Sequence, residues 1–136
     1  MKFSKIVYGS AAVYGFVSLL PLYFLVSRIG RETPPPITHP EFYYGFLGVT
    51  LLWQGVFIFV ANDPSRYRPL MPLAILEKLV YTVPVIILYF LGETSAKILA
   101  PSLVDPVFGV LFLIAYFRTP SAQTAATPEA QKIFSS

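Results

Sequence analysis

The sequence predicts an all-α integral membrane protein, a bundle of four transmembrane helices, and three observations predict it. Four apolar stretches, residues 6–27, 42–61, 73–91 and 98–117, fill well over half of the 136-residue chain, and each approaches the roughly 20 residues that a helix needs to cross a bilayer core. Only 12% of residues are Asp, Glu, Lys or Arg, and most of these lie between the stretches. Proline marks the joints, in Pro34-Pro35-Pro36, Pro40, Pro64 and Pro69. Residues 1–118 are thus expected to form one membrane domain with no length left for a separate soluble one. Residues 119–136, rich in Ala, Ser, Thr and Pro, are expected to be a flexible C-terminal tail.

The first stretch follows Lys2 and Lys5, as a secretory signal would. It is longer than the roughly 7–15 residues of a signal core and shows no small-residue cleavage pattern before Arg28, so it is expected to be retained as a helix. Ser4 is a suitable N-cap, and Pro21 is expected to kink the far end, because its ring removes a backbone bond and clashes with the preceding turn. Three successive prolines then predict a stiff, extended loop. Thr38-His39-Pro40-Glu41 announces the second helix, with Pro40 at its first position and Glu41 near the positive end of its dipole.

Within the second stretch, Thr50 and Gln54 share a face at a spacing of four, beside a stripe of Tyr44, Gly48, Leu51 and Gly55. Gly48 and Gly55 are the expected sites of close helix approach, with Gln54 hydrogen-bonding across the contact or reaching a polar ligand. Asn62-Asp63-Pro64-Ser65 is a turn signal, and Arg66-Tyr67-Arg68-Pro69 suits a membrane interface. The third helix is expected from Pro72. That start places Glu77 and Lys78 about one and a half turns inside the membrane, where Lys78 can snorkel to the headgroups and Glu77 can pair with Arg66 or Arg68. Alternatively, Glu77 and Tyr81 line a proton- or cation-accessible cavity.

The fourth stretch contains Asp105-Pro106, a natural N-cap and first-turn pair. A helix starting there has only about a dozen residues before Arg118, roughly 18 Å and too short to cross alone. Either Asp105 caps a tilted helix at the outer interface, which is the preferred reading, or the fourth helix is broken within the membrane after an irregular entry over residues 98–104. Counted from opposite surfaces, Glu77 and Asp105 should lie about 10 Å or more apart. An outer cluster of His39, Glu93 and Asp105 is conceivable, although His39 before Pro40 fits an interfacial turn.

Charge sets the expected topology. Lys2, Lys5, Arg66, Arg68, Arg118 and Lys132 fall on one side of the four stretches, against Arg28, Arg31 and Lys97 on the other, so both termini are expected in the cytoplasm. The net charge of +3 comes without a basic run, which argues against nucleic acid as a partner. The absence of cysteine and the single histidine argue against thiol chemistry and a metal site. No motif announces a cofactor, a phosphate loop or a catalytic triad. The expected partners are the lipid bilayer and either another membrane protein or further copies of this chain.

Phe42-Tyr43-Tyr44-Gly45-Phe46, Trp53-Gln54, the run from Asp63 to Met71 and Leu76-Glu77-Lys78 resemble a recurring pattern in small bacterial four-helix membrane proteins, a family that brings no established activity. More loosely, length, hydropathy and scattered Gly, Pro and aromatic positions resemble the DoxX-like four-span group. Small multidrug transporters carry an acid in the first helix, and residues 6–27 hold none. The sequence therefore points first to a non-enzymatic interaction or accessory component of the bacterial cytoplasmic membrane. The alternative is a protein that binds or transports a small apolar or cationic molecule through a cavity lined by Gln54, Glu77, Tyr81 and Asp105. An enzyme acting on lipid or quinone ranks third.

Overall fold

The computed structural model describes residues 1–123, 132, 133 and 135. Among them every regular element is helical: α1 (Lys2–Leu19), α2 (Val26–Glu32), α3 (Pro40–Asn62), α4 (Met71–Phe90), α5 (Ala96–Ser102) and α6 (Val104–Arg118), with 3-10 turns at Leu20–Phe24 and Arg68–Leu70. They make four apolar spans of 23 residues each, Lys2–Phe24, Pro40–Asn62, Arg68–Phe90 and Ala96–Arg118. At 1.5 Å per residue, each covers roughly 35 Å, enough for a hydrocarbon core of about 30 Å. Large apolar side chains such as Val17, Leu52, Phe90 and Phe117 point outward. The architecture is that of an integral membrane protein.

Proline shapes each span as its chemistry dictates. Before Pro21 the α-helix gives way to the 3-10 turn Leu20–Phe24, and the Tyr43 hydroxyl of α3 donates to the Leu22 carbonyl there, 2.6 Å away. Pro40 opens α3 at its first turn with Glu41 behind it, as expected. The turn Arg68–Leu70 leads straight into α4, so the third span begins earlier than Pro72.

The fourth span is broken, but at Leu103, two residues before Asp105. The expected irregular entry is the helix α5 instead. Pro106 lacks the N–H that would bond the Ser102 carbonyl four residues earlier. The Thr82 hydroxyl of α4 donates to that carbonyl at 2.9 Å, while the Ser102 hydroxyl turns to the Leu99 carbonyl at 2.7 Å. A neighbouring helix thus satisfies the backbone group that proline frees, as a membrane interior requires.

Ser4 is no cap. It lies inside α1, buried, with its hydroxyl 2.7 Å from the Thr119 hydroxyl. Thr119, assigned to the tail by the sequence, is built into the bundle: its carbonyl also accepts from Arg68 Nε at 2.8 Å. Arg68 lies over the Tyr116 ring at 4.0 Å, and Arg118 over Phe3 at 4.6 Å. Both ends of the bundle domain and the α3–α4 connection therefore meet on one side. Residues 124–131, 134 and 136 of the expected tail lie outside the described residues.

α1 packs along α3 and α6, and α4 packs along α6 and α5, whereas α3 and α4 barely meet although they are consecutive. An apolar core fills the half nearer the termini. Tyr8 stacks on Phe112 with ring centroids 4.1 Å apart, and Phe57 stands edge-on to both. Val7, Ala11, Val60, Met71, Ala74 and Ala115 close around them. Toward the other half, the seam between α3 and α4 opens into a cleft.

Candidate functional site

A cavity of about 360 Å³ lies in that cleft. α3 supplies Gly45, Phe46, Val49, Thr50 and Trp53, α4 supplies Glu77, Val80 and Tyr81, and α6 supplies Asp105. The two walls touch through Phe46 and Tyr81, whose rings are 5.1 Å apart. Thr50 turns its hydroxyl back to the Phe46 carbonyl at 2.7 Å, so the α3 wall is mainly backbone-satisfied and aromatic.

The floor of the cleft is ionic. Lys78 Nζ lies 3.1 Å from Glu77 Oε2 and 3.2 Å from Asp105 Oδ1, and it donates a hydrogen bond to the latter. Lys78 is only 6% exposed. It stands ten residues from the start and twelve from the end of its span, and Asp105 stands nine and thirteen from the ends of its own. The cluster therefore sits near the middle of the membrane, where charges persist only when paired or hydrated. Gly109 of α6 lies beside Lys78 at this level, where a Cβ would meet Lys78 Cβ at an ordinary contact distance of 3.5 Å. On its other side Lys78 Nζ lies 5.0 Å from the centre of the Phe57 ring, a cation–π distance.

These contacts correct four expectations. Glu77 and Asp105 are not 10 Å apart but share one ammonium group, because the third span starts at Arg68 and carries Glu77 to mid-membrane. Lys78 does not snorkel, and its four-carbon stem curls back to Glu77 despite the 100° between adjacent helical positions. Glu77 pairs with neither Arg66 nor Arg68. Arg66 donates its backbone N–H to Asp63, and Arg68 holds Thr119. Asp105 is an ion-pair partner rather than a cap, since α6 has no side-chain cap.

Of the residues expected to line a common cavity, Glu77, Tyr81 and Asp105 do so and Gln54 does not. Gln54 is 1% exposed and faces α1. Its Nε2 donates to the Thr50 carbonyl of its own helix at 2.9 Å, and its Oε1 has no hydrogen-bond partner among the described residues. A Cβ at Gly15 would overlap the Gln54 amide. The close approach of α1 to α3 thus depends on Gly15. Gly48 meets only Tyr23 at ordinary contact distance and Gly55 faces open space, so the expected packing role fails at Gly55 and is slight at Gly48.

The outer residues do not assemble either. His39 Nδ1 is 2.9 Å from Glu41 Oε1, far in chain and partner from Asp105, and Glu93 gives only its backbone N–H, to the Leu88 carbonyl. No group of three His, Cys, Asp or Glu side chains suited to a metal occurs among the described residues. Lys78 beneath the cavity, and Gly45, Phe46, Val49, Thr50, Trp53 and Val80 in its lining, are the residues that the sequence reading did not place at the site. A lysine at the centre of an apolar span was the available signal for the first.

No family model, curated protein or solved structure matches the chain. The chemistry of the site therefore rests on its own geometry. It combines an aromatic wall, an ionic floor and a lateral opening between two spans.

Proposed function

We propose that this protein binds a small apolar or cationic molecule in the α3–α4 cleft, within the bacterial cytoplasmic membrane and with both termini in the cytoplasm. The observation that carries the reading is the joining of Glu77, Tyr81 and Asp105 with Phe46 and Trp53 around one cavity of about 360 Å³. Such a mixture of apolar wall and few convergent polar groups is the usual character of a small-molecule site. The six-to-three excess of basic residues on the terminal side supports the orientation.

Trp53 is the sole tryptophan of the chain and lines the cleft, so its fluorescence reports occupancy. In lipid nanodiscs, benzyltrimethylammonium or its neutral isostere neopentylbenzene should change that fluorescence saturably. Gly45→Phe should abolish the change, because Gly45 lines the cleft and an added Cβ meets nothing within 4 Å. Absence of a saturable change with both probes would sink the reading.

A second reading is an accessory component that seats a partner's helix in the same seam. It is favoured by the exposed flanks of the cleft, Val49 at 60% and Val80 at 66%. Gently extracted protein running as a lone monomer counts against it.

A further inference from the structure

We infer that the cleft exchanges a proton for an organic monocation, with the Glu77–Lys78–Asp105 cluster as the exchanging site; this rests on the binding function proposed above. The argument begins with a count of charges. Two carboxylates converge on one ammonium, at 3.1 and 3.2 Å, so the fully ionised cluster carries one negative charge without a partner. Near mid-membrane such a charge is strongly disfavoured. The cluster becomes neutral by taking up either one proton or one monovalent cation, and the two are mutually exclusive.

Among the described residues, the cavity lining supplies no other counter-charge. α3 contributes Gly45, Phe46, Val49, Thr50 and Trp53, none of them ionisable, and α6 contributes only Asp105. On α4 the further titratable group at the cleft is Tyr81. From α5, Lys97 is engaged at the outer end with the Glu32 carbonyl, and from α1, Tyr14 packs on Phe108 while Tyr8 is held in the aromatic core. Glu77 Oε2 is buried against Lys78 Nζ, while Glu77 and Asp105 both line the cavity and the Asp105 side chain remains 26% exposed. The unpaired charge therefore faces the cavity.

The same geometry selects the kind of cation. A bare metal ion requires a shell of some six oxygen ligands, and the wall offers few free ones beyond the two carboxylates. Phe46, Trp53 and Tyr81 instead line the cavity with aromatic rings, which suit an organic cation with an apolar body. When such a cation enters, the proton held by a carboxylate leaves to water and the cation takes its place, with total charge conserved.

The test uses the full chain in nanodiscs, with Trp53 fluorescence and a pH indicator in weakly buffered solution. On the acid side of the cluster's titration, the benzyltrimethylammonium Kd should weaken about tenfold per pH unit, and about one proton should be released per cation bound. Neopentylbenzene should bind with no pH dependence. Glu77→Gln and Asp105→Asn each leave a neutral cluster. Both should lose proton release and bind the cation no better than the neutral isostere, with a wild-type helical circular-dichroism spectrum showing that each variant is folded. A cation affinity flat from about pH 5 to 9, or proton release surviving in both variants, overturns the exchange while leaving the binding function intact. Failure of both probes to perturb Trp53 overturns the two together.

Discussion

The Tyr8–Phe57–Phe112 core and the Glu77–Lys78–Asp105 cluster are neighbours, separated by the 5.0 Å between Lys78 Nζ and the Phe57 ring, yet they are built on opposite rules. In the core all four spans converge, rings stack edge and face, and no charge enters. At the cluster α3 and α4 part, Phe46, Trp53 and Tyr81 line the gap, and the carboxylates of Glu77 and Asp105 share the buried Lys78 at its floor. The first arrangement holds the helices together. The second keeps a volume open at mid-membrane and leaves its charges one short of balance. Apolar packing is thus concentrated in the half nearer the termini and the ionic cleft lies just beyond it.

The sharpest way to break this contrast is Lys78→Met. Removing the shared ammonium leaves two carboxylates facing each other, and loss of one partner from a buried ionic cluster costs about 3–5 kcal/mol. Unfolding in mixed micelles should show that loss, and the triple variant with Glu77→Gln and Asp105→Asn should recover most of it. An equal loss in the triple variant would mean that Lys78 acts by packing on Phe57 and Gly109 rather than by charge.

Gly15→Ala should cost about 1–3 kcal/mol, as overpacking does, because its Cβ overlaps Gln54. Adding Gln54→Ala should restore stability, which double-mutant analysis of unfolding would read directly. Gly55→Ala meets nothing and should be neutral or slightly stabilising. Thr82→Val strips the donor from the Ser102 carbonyl and should cost about 1–2 kcal/mol, and Pro106→Ala in the same chain should recover it by supplying the missing N–H. A small effect is expected in the core. The Tyr8 hydroxyl has no hydrogen-bond partner among the described residues, so Tyr8→Phe should leave the midpoint within about 0.5 kcal/mol of wild type or raise it.

At the outer surface, hydrogen bonding to Arg28 holds the Glu32 carboxyl below its ordinary range. Because that pKa is lowered on folding, the pair's contribution is present above the ordinary carboxylate pKa and fades as pH falls through the lowered one. Both side chains are exposed, so Glu32→Gln should leave the thermal midpoint at neutral pH unchanged in physiological salt.

Particular residues show where sequence reading reached and where it stopped. The start of α3 at Pro40 was legible because proline and the following acid act locally, through a missing N–H and a helix dipole. The placement of Glu77 was not, because it depended on four residues, Arg68 to Met71, that look like interface and become helix. Gly55 and Gly15 show the same limit. Both are glycines within a span, and only the partner helix decides which one must lack a side chain. Asp105-Pro106 carried a local capping signal that the break at Leu103 overrode, since Lys78 offered Asp105 a charged partner.

By itself, then, the sequence determined that four helices cross a membrane, roughly where each begins and ends, and which few polar residues enter the apolar interior. Those properties follow from hydropathy, helix length and proline chemistry, all of which act within one segment. The tertiary structure decided that Glu77, Lys78 and Asp105 meet, that Gln54 turns away from them toward Gly15, and that α3 and α4 part to form a cleft. These are contacts between segments, set by the relative rotation and depth of whole helices, and a shift of one turn is enough to exchange one set of neighbours for another.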